Sequence, residues 1–155
     1  MKNLLYREDN SVVLSVFDVA RYIVKKIEPI EIWKLQKLVY YCQAWSLVWL
    51  KRPIFNERIE AWSNGPVCPE LHERIKNYYE LDSNTPIWGD INASSDDRDV
   101  MDVVIRDYGD KPHIWLRELT HMEEPWKRAR KDVPYMDKCN NEITNEMMAT
   151  YYGSL

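Results

Sequence analysis

Hydrophobic residues along much of the chain recur at the three- and four-residue spacing of helices. Ser15 is followed by Asp18 three positions later, the pattern of a capping box, and apolar residues then continue at helical spacing to Ile27. Pro29 ends this first predicted helix. The first helix is therefore expected to pack one apolar stripe against the rest of the protein.

The second predicted helix is apolar over much of its circumference. It begins near Pro29 to Glu31 and ends before Pro53. Its stripe consists of Ile32, Leu35, Leu38, Val39, Cys42, Trp45 and Trp49. A helix that is hydrophobic on most sides is usually buried, so we expect this one at the centre of the fold.

Five more helices are predicted after residue 68. They are a helix from Pro69 carrying Leu71, Ile75, Tyr78 and Tyr79, one capped by Ser94 or Ser95 and stopped by Gly109, one opened by Pro112, a short one after Pro125, and a last one capped by Asn141. Residues 53–67 are turn-rich and allow a small β-hairpin, and residues 82–95 read as a long loop. The prediction is a mainly α single domain, residues 1–155, of six or seven helices around a central apolar helix, with residues 1–10 as a flexible extension.

Composition narrows the function classes. The chain is 45% hydrophobic and 30% charged, which argues against disorder. The 21 basic and 25 acidic residues give a net charge of −4, so the phosphate-neutralising excess of a nucleic-acid module is missing. The densest basic run, residues 127–131, is predicted to be a solvated helix end.

Cysteine usage and hydrophobic run length bear on localisation. Three widely spaced cysteines fit a reducing compartment better than a disulfide framework. The N-terminus becomes charged too early for a signal peptide, and the uncharged stretch of residues 38–50 is too short to span a bilayer. We therefore expect a cytoplasmic protein without a membrane partner.

A metal- or thiol-dependent hydrolase is the main enzymatic alternative. His72, His113 and His121 could converge with Cys68 or Glu123, but their spacing is not typical of a zinc site. Cys68 lies at a predicted helix start, where the dipole could lower the pKa of its thiol, yet no glycine-rich elbow surrounds it. We predict no metal, cofactor or catalytic residue, and keep a hydrolase using Cys68, His121 or Glu123 as an alternative. A helix-turn-helix transcriptional regulator is a third possibility, weakened by the acidic balance.

Two segments place a tryptophan beside a turn-forming proline: residues 60–67, Glu-Ala-Trp-Ser-Asn-Gly-Pro-Val, and residues 119–126, Leu-Thr-His-Met-Glu-Glu-Pro-Trp. In the first, Asn64-Gly65-Pro66 predicts a tight corner that fixes Trp62 as a lid on the core. We therefore expect Trp62→Ala to harm folding before binding, through the loss of roughly 3 to 5 kcal/mol that is typical when a large aromatic side chain in a core is truncated. Neither segment is a catalytic motif, so both indicate recognition.

The chain resembles the Panacea family, the SocA-like antitoxin domain, from about residue 15 to its C-terminus. The residues that carry the resemblance are Val19-Ala20-Arg21-Tyr22-Ile23, Leu35-Gln36-Lys37-Leu38-Val39-Tyr40-Tyr41, Gln43-Ala44-Trp45, Ile59-Glu60-Ala61-Trp62, Gly65-Pro66-Val67, Pro69-Glu70-Leu71, Tyr108-Gly109, Leu119-Thr120-His121, Glu123, Pro125-Trp126 and Ala129-Arg130.

The resemblance implies a helical, non-enzymatic antitoxin of bacteria or phages that neutralises a cognate protein toxin, encoded by a neighbouring gene, by direct binding. One branch of the family resembles proteolytic adaptors, which would add a cytoplasmic protease as a partner. The motif residues expected to take part in partner binding are Trp62, Gly65, Pro66, Val67, Glu70, Thr120, His121, Glu123 and Trp126.

Overall fold

Seven helices and four short strands make up the computed structural model, which describes residues 13–88 and 92–155. The helices are α1 Val16–Lys26, α2 Ile32–Trp49, α3 Pro69–Ile75, α4 Ser95–Tyr108, α5 His113–Met122, α6 Glu124–Arg130 and α7 Asn145–Tyr152. The strands are β1 Ile30–Glu31, β2 Glu60–Trp62, β3 Gly65–Val67 and β4 Glu80–Leu81. The predicted flexible extension, residues 1–10, lies outside the described residues.

Helix α2 is the centre of the fold, as its apolar circumference predicts. It packs against α1, α4, α5, α7 and β3, and every residue from Leu35 to Ala44 is buried. Trp49, at the end of the predicted stripe, is instead 46% exposed. The mainly α, compact fold is confirmed. No helix within the described ranges is long and apolar enough to cross a bilayer.

Local capping signals in the sequence set several helix ends. Ser15 and Asp18 form both hydrogen bonds of a capping box at the start of α1. The Ser94 side chain accepts from the backbone of Asp97 at the start of α4, and Gly109 caps its other end. The Glu31 carboxylate accepts from the first backbone amides of α2, so a glutamate begins the central helix.

Two predicted boundaries are wrong because tertiary pairing overrides local signals. Helix α3 ends at Ile75 and does not include Tyr79, whose carbonyl accepts from the backbone of Ile32 and leads into the pairing of β4 with β1. The last helix is capped by Thr144. Asn141 instead accepts a backbone hydrogen bond from Ala61 and donates its side-chain amide to a backbone carbonyl of α6.

Strands β2 and β3 form the predicted small hairpin. They pair antiparallel, with Trp62 opposite Gly65 and Ala61 opposite Pro66. An isolated bridge between Glu60 and Glu142 ties the hairpin to the segment before α7. Contacts with α2, α5 and α6 hold the corner of this hairpin against the helical core.

Candidate functional site

The hairpin turn needs a glycine for two reasons. Gly65 has a φ of +108°, a backbone conformation that side-chain-bearing residues rarely adopt. A Cβ placed on Gly65 would also lie 2.6 Å from Cε of Lys37 and 3.1 Å from Oγ1 of Thr120. The corner thus lies directly on a lysine of α2 and a threonine of α5, which explains the Asn64-Gly65-Pro66 sequence.

The two tryptophan-and-proline segments meet in space. The Trp126 indole N–H donates to the backbone carbonyl of Trp62 at 2.8 Å. The Trp126 ring is buried and stacks on the imidazole of His121, with ring centroids 3.9 Å apart. Trp62, Gly65, Thr120, His121 and Trp126 therefore belong to one region of the molecule, which we call the hairpin corner.

His121 is held in its neutral form. Its Nδ1 lies 2.9 Å from the Tyr135 hydroxyl, whereas its buried Nε2 has no hydrogen-bond partner among the described residues. Burial lowers the pKa of His121 to about 4. At pH 7 this imidazole is an uncharged part of an aromatic stack.

Trp62 is half-buried and lines a groove. Its indole N–H donates to the Glu60 carboxylate at 2.9 Å, and its ring meets His72 edge-on. His72 in turn stacks on Trp33 at 5.4 Å. The groove has a volume of about 710 Å³ and is lined by Trp33, Glu60, Trp62, Ser63, Asn64, Lys138, Cys139 and Asn140. We call it the corner groove.

A smaller hollow adjoins the corner groove and shares Trp33 and Asn64 with it. It has a volume of about 160 Å³ and is lined by Trp33, Lys37, Asn64, His113 and Arg117. We call it the Lys37 pocket. Three of its five lining residues carry a basic side chain, and none is acidic.

Lys37 is the most unusual residue of this region. Its side chain is only 1% exposed, and its ammonium nitrogen has no hydrogen-bond partner within the described part of the chain. The nitrogen lies 5.7 Å from the centroid of the Trp33 ring. Burial lowers the pKa of Lys37 to about 7, although the Glu31 carboxylate acts in the opposite direction.

Lys37 is one of four residues in this region with a buried side-chain nitrogen that has no hydrogen-bond partner. In residues 13–88 and 92–155 these nitrogens are Lys37 Nζ, His72 Nδ1, Arg117 Nε and His121 Nε2. Buried polar groups are normally hydrogen-bonded, and an unpaired one costs free energy. These unpaired groups lie close to the hairpin corner, so within the described structure this is the region with unused hydrogen-bonding capacity.

Glu123 belongs to a different cluster. Its carboxylate is buried and accepts hydrogen bonds from Tyr41 at 2.6 Å and Tyr152 at 2.8 Å, and Tyr152 also contacts the Tyr40 hydroxyl. Burial raises the pKa of Glu123, while the two tyrosine bonds lower it. We call these four residues the tyrosine cluster. None of the described hydrogen bonds joins Glu123 to His121, and the Glu123 carboxylate faces the tyrosine cluster.

The remaining candidate residues lie in strand β3 and at the start of helix α3. Pro66 and Val67 are buried within β3, and Glu70 is exposed in the first turn of α3. Burial raises the pKa of the Cys68 thiol to about 11, the opposite of the lowering that its place at a helix start suggests. This pKa makes Cys68 a poor nucleophile. The described residues contain no group of three or more histidine, cysteine or carboxylate side chains placed to hold a metal ion.

Sequence reasoning missed the Lys37 pocket and misread one arginine. The available signal was a lysine in the interior of a helix that is apolar over much of its circumference, because a long buried helix leaves few of its side chains a route to solvent. Arg130, expected in a solvated helix end, is 2% exposed and donates to the carbonyls of Ala61, Pro134 and Asp137. Its guanidinium also lies over the Trp126 ring, with Cζ 4.9 Å from the ring centroid, and so packs against the hairpin corner.

Comparison with known proteins gives one match. The family model described as "Antitoxin SocA-like, Panacea domain" matches residues 35–127, well over half of the chain. This range contains Lys37, both tryptophan-and-proline segments and Arg117. No curated protein and no solved structure matches the chain.

Proposed function

The chain belongs to the SocA-like antitoxin family with a Panacea domain, and from this premise we propose that it neutralises a protein toxin by binding it directly. The family match carries the proposal. The toxin is the product of a neighbouring gene, and its activity is blocked by occlusion, without any bond being made or broken. An extension of this proposal is that the chain delivers the bound toxin to a cytoplasmic protease.

The surface around the hairpin corner supports this role. Binding interfaces depend on a few aromatic and basic anchors set in pockets, surrounded by contacts that exclude water. The corner groove offers the half-buried rings of Trp33 and Trp62, with Asn64 exposed between the groove and the Lys37 pocket. A rigid corner of this kind gives a partner a preformed surface, which lowers the entropic cost of binding.

Co-expression with the neighbouring gene tests the function. The gene should stop growth when expressed alone and be harmless together with this chain, and the two purified proteins should form a complex. Trp62→Ala should abolish both rescue and complex formation. Trp49→Ala is the matched control, since Trp49 is an exposed tryptophan at the end of α2, outside the corner groove.

Two results would contradict the proposal. One is a neighbouring product that is harmless by itself. The other is rescue of growth without any complex between the purified proteins, since occlusion requires contact. Toxin half-life in growing cells separates simple binding from delivery to a protease, because only delivery shortens it.

A further inference from the structure

The Lys37 pocket combines positive charge with an unusual lack of acceptors. Among the described residues, the buried Lys37 ammonium and the buried Arg117 Nε have no hydrogen-bond partner, although another nitrogen of the Arg117 guanidinium contacts Glu118. The third basic side chain is that of His113, whose Nδ1 lies 3.2 Å from Oε2 of Glu31. Nitrogen donors therefore surround a hollow into which no acidic side chain of the described residues projects.

Glu31 does not form a hydrogen bond with Lys37, although its carboxylate acts to raise the pKa of that lysine. Its two carboxylate oxygens accept the backbone amides of Trp33 and Lys34 at the start of α2, and its Oε2 also faces His113. Both oxygens of the carboxylate are therefore used in capping the central helix. No second acceptor within residues 13–88 and 92–155 pairs with the ammonium.

Burying an unpaired ammonium is expensive, and an apolar residue of the same length would fill this position at lower cost. The surrounding structure nevertheless accommodates the lysine, since Gly65 leaves the space beside its Cε that any side chain at position 65 would occupy. Such a costly arrangement is typical of a binding site whose charge is compensated only in the complex.

We propose that the Lys37 pocket binds a carboxylate of the partner polypeptide, with Lys37 and Arg117 as its counter-charges. The inference rests on the proposed function and specifies its chemistry. A volume of about 160 Å³ admits a single carboxylate-bearing group, and the adjoining corner groove receives the residues next to it between Trp33 and Trp62. The carboxylate comes from an acidic side chain or from the C-terminus of the partner.

The decisive experiment compares Lys37→Met with the wild-type protein in two measurements, the Tm and the Kd for the purified product of the neighbouring gene. The proposal predicts opposite changes: the variant melts at a higher temperature but binds its partner roughly thirtyfold or more weakly. Lys25→Met, which removes one charge from the exposed surface of α1, should leave both values unchanged. An affinity of Lys37→Met equal to wild type would overturn the proposal.

A second variant guards against misfolding of Lys37→Met. Arg117→Met removes the other counter-charge, and its side chain is 33% exposed, so the change disturbs the core less. It too should weaken binding while the protein stays folded. Unchanged affinity in a folded Arg117→Met variant would count against the pocket as strongly as the same result at Lys37.

The source of the carboxylate follows from changes in the partner. Deleting its last residue tests the C-terminus, and replacing its acidic residues one at a time by amides tests the side chains. Changing the true ligand group in the partner should lower its affinity for the wild-type protein but should not lower its affinity for Lys37→Met any further. If no change in the partner shows this pattern, the pocket does not bind a carboxylate.

Failure of the proposed function can be told apart from failure of the pocket. If the wild-type protein does not bind the neighbouring product, the antitoxin role fails and acetate becomes the probe. Sodium acetate should then raise the Tm of the wild-type protein above its value in sodium chloride at equal ionic strength, with no such difference for Lys37→Met. Equal Tm values for the wild-type protein in the two salts would overturn the pocket.

Discussion

Two neighbouring turns of helix α2 bury polar groups in opposite ways. Tyr41 donates to Oε1 of the Glu123 carboxylate, which also accepts from the Tyr152 hydroxyl, so this buried group has two hydrogen-bond partners. Lys37, four residues earlier, buries an ammonium with no partner in the described structure. Among the described residues, the buried group of one cluster has hydrogen-bond partners and that of the other has none. A completed buried network stabilises a unique core, whereas an incomplete one reduces stability and leaves binding capacity for another molecule.

This contrast separates two candidate residues that the sequence places close together. Glu123 and His121 both fall in the second tryptophan-and-proline segment, but Glu123 faces the tyrosine cluster and His121 stacks on Trp126 at the hairpin corner. Mutations at Glu123 should therefore act through the stability of the fold. Mutations at the hairpin corner should act on partner binding as well.

The largest expected effect on stability is a gain from Lys37→Met. Its free energy of unfolding at pH 7 should exceed that of the wild-type protein by an amount on the order of 4 kcal/mol, at about 1.4 kcal/mol per pKa unit. The pKa of Lys37 is about 7 when folded and 10.5 in its reference state, so the cost of burial is full below pH 7 and decreases as the pH rises toward 10.5. Urea denaturation of both proteins between pH 7 and pH 9.5 should show the difference shrinking; a constant difference would contradict an unpaired ammonium at this position.

The next effect is a loss at the tyrosine cluster. Tyr41→Phe removes one of the two donors to the buried Glu123 carboxylate and should lower the free energy of unfolding by about 2 kcal/mol. Tyr151→Phe is the matched control, because Tyr151 is half-buried in α7 and makes no described side-chain hydrogen bond to Glu123. Urea denaturation at pH 7 compares them. Equal stability of Tyr41→Phe and wild type would mean that the cluster is not a completed network.

A smaller loss is expected at the corner groove. Trp62 is half-buried and lies outside the hydrophobic core cluster, so Trp62→Ala should cost about 1 to 2 kcal/mol instead of the roughly 3 to 5 kcal/mol of a fully buried tryptophan. Trp126→Ala should show the larger value because Trp126 is 5% exposed. Thermal unfolding of the two variants tests the order. The reverse order would place Trp62 in the core after all.

The last effect is absent at neutral pH and develops only in acid. The pKa of His121 is about 4 in the folded protein and 6.5 in its reference state, so protonation favours the unfolded chain. Stability from this group is full above pH 6.5 and decreases as the pH falls toward 4. His121→Phe keeps the stack on Trp126 and should flatten this part of the pH profile of the Tm. An identical slope in the variant would show that His121 titrates normally.

Local sequence signals predicted the helices well because their physics is local. The capping box of Ser15 and Asp18, Pro69 at the first turn of α3, and Gly109 after α4 each act within one turn of a helix. Asn141 failed as a cap because its backbone and side chain bond to residues of β2 and α6 far along the chain. No local pattern contains that information.

The candidate site was predictable only in part. The unusual Asn64-Gly65-Pro66 turn and the two tryptophans indicated a recognition surface, and the structure brings both tryptophans together. The pocket beside them depends on which residues surround α2 on every side. Lys37 is buried because α5 and the hairpin pack against α2 beside it. The lysine in a largely apolar helix could be noticed in the sequence, but its lack of a hydrogen-bond partner in the described structure could not.

Hydrogen exchange on the purified complex with the neighbouring gene product tests the central claim most directly. We expect slower amide exchange in residues 60–67 and in α5 when the partner is bound, because residues 60–67 line the corner groove and α5 contributes His113 and Arg117 to the Lys37 pocket. The hollow between α6 and α7, lined in part by Pro125, Arg128, Met147 and Tyr151, serves as the internal comparison and should exchange at the same rate with and without the partner. Protection confined to that hollow, with the hairpin unchanged, would contradict the account.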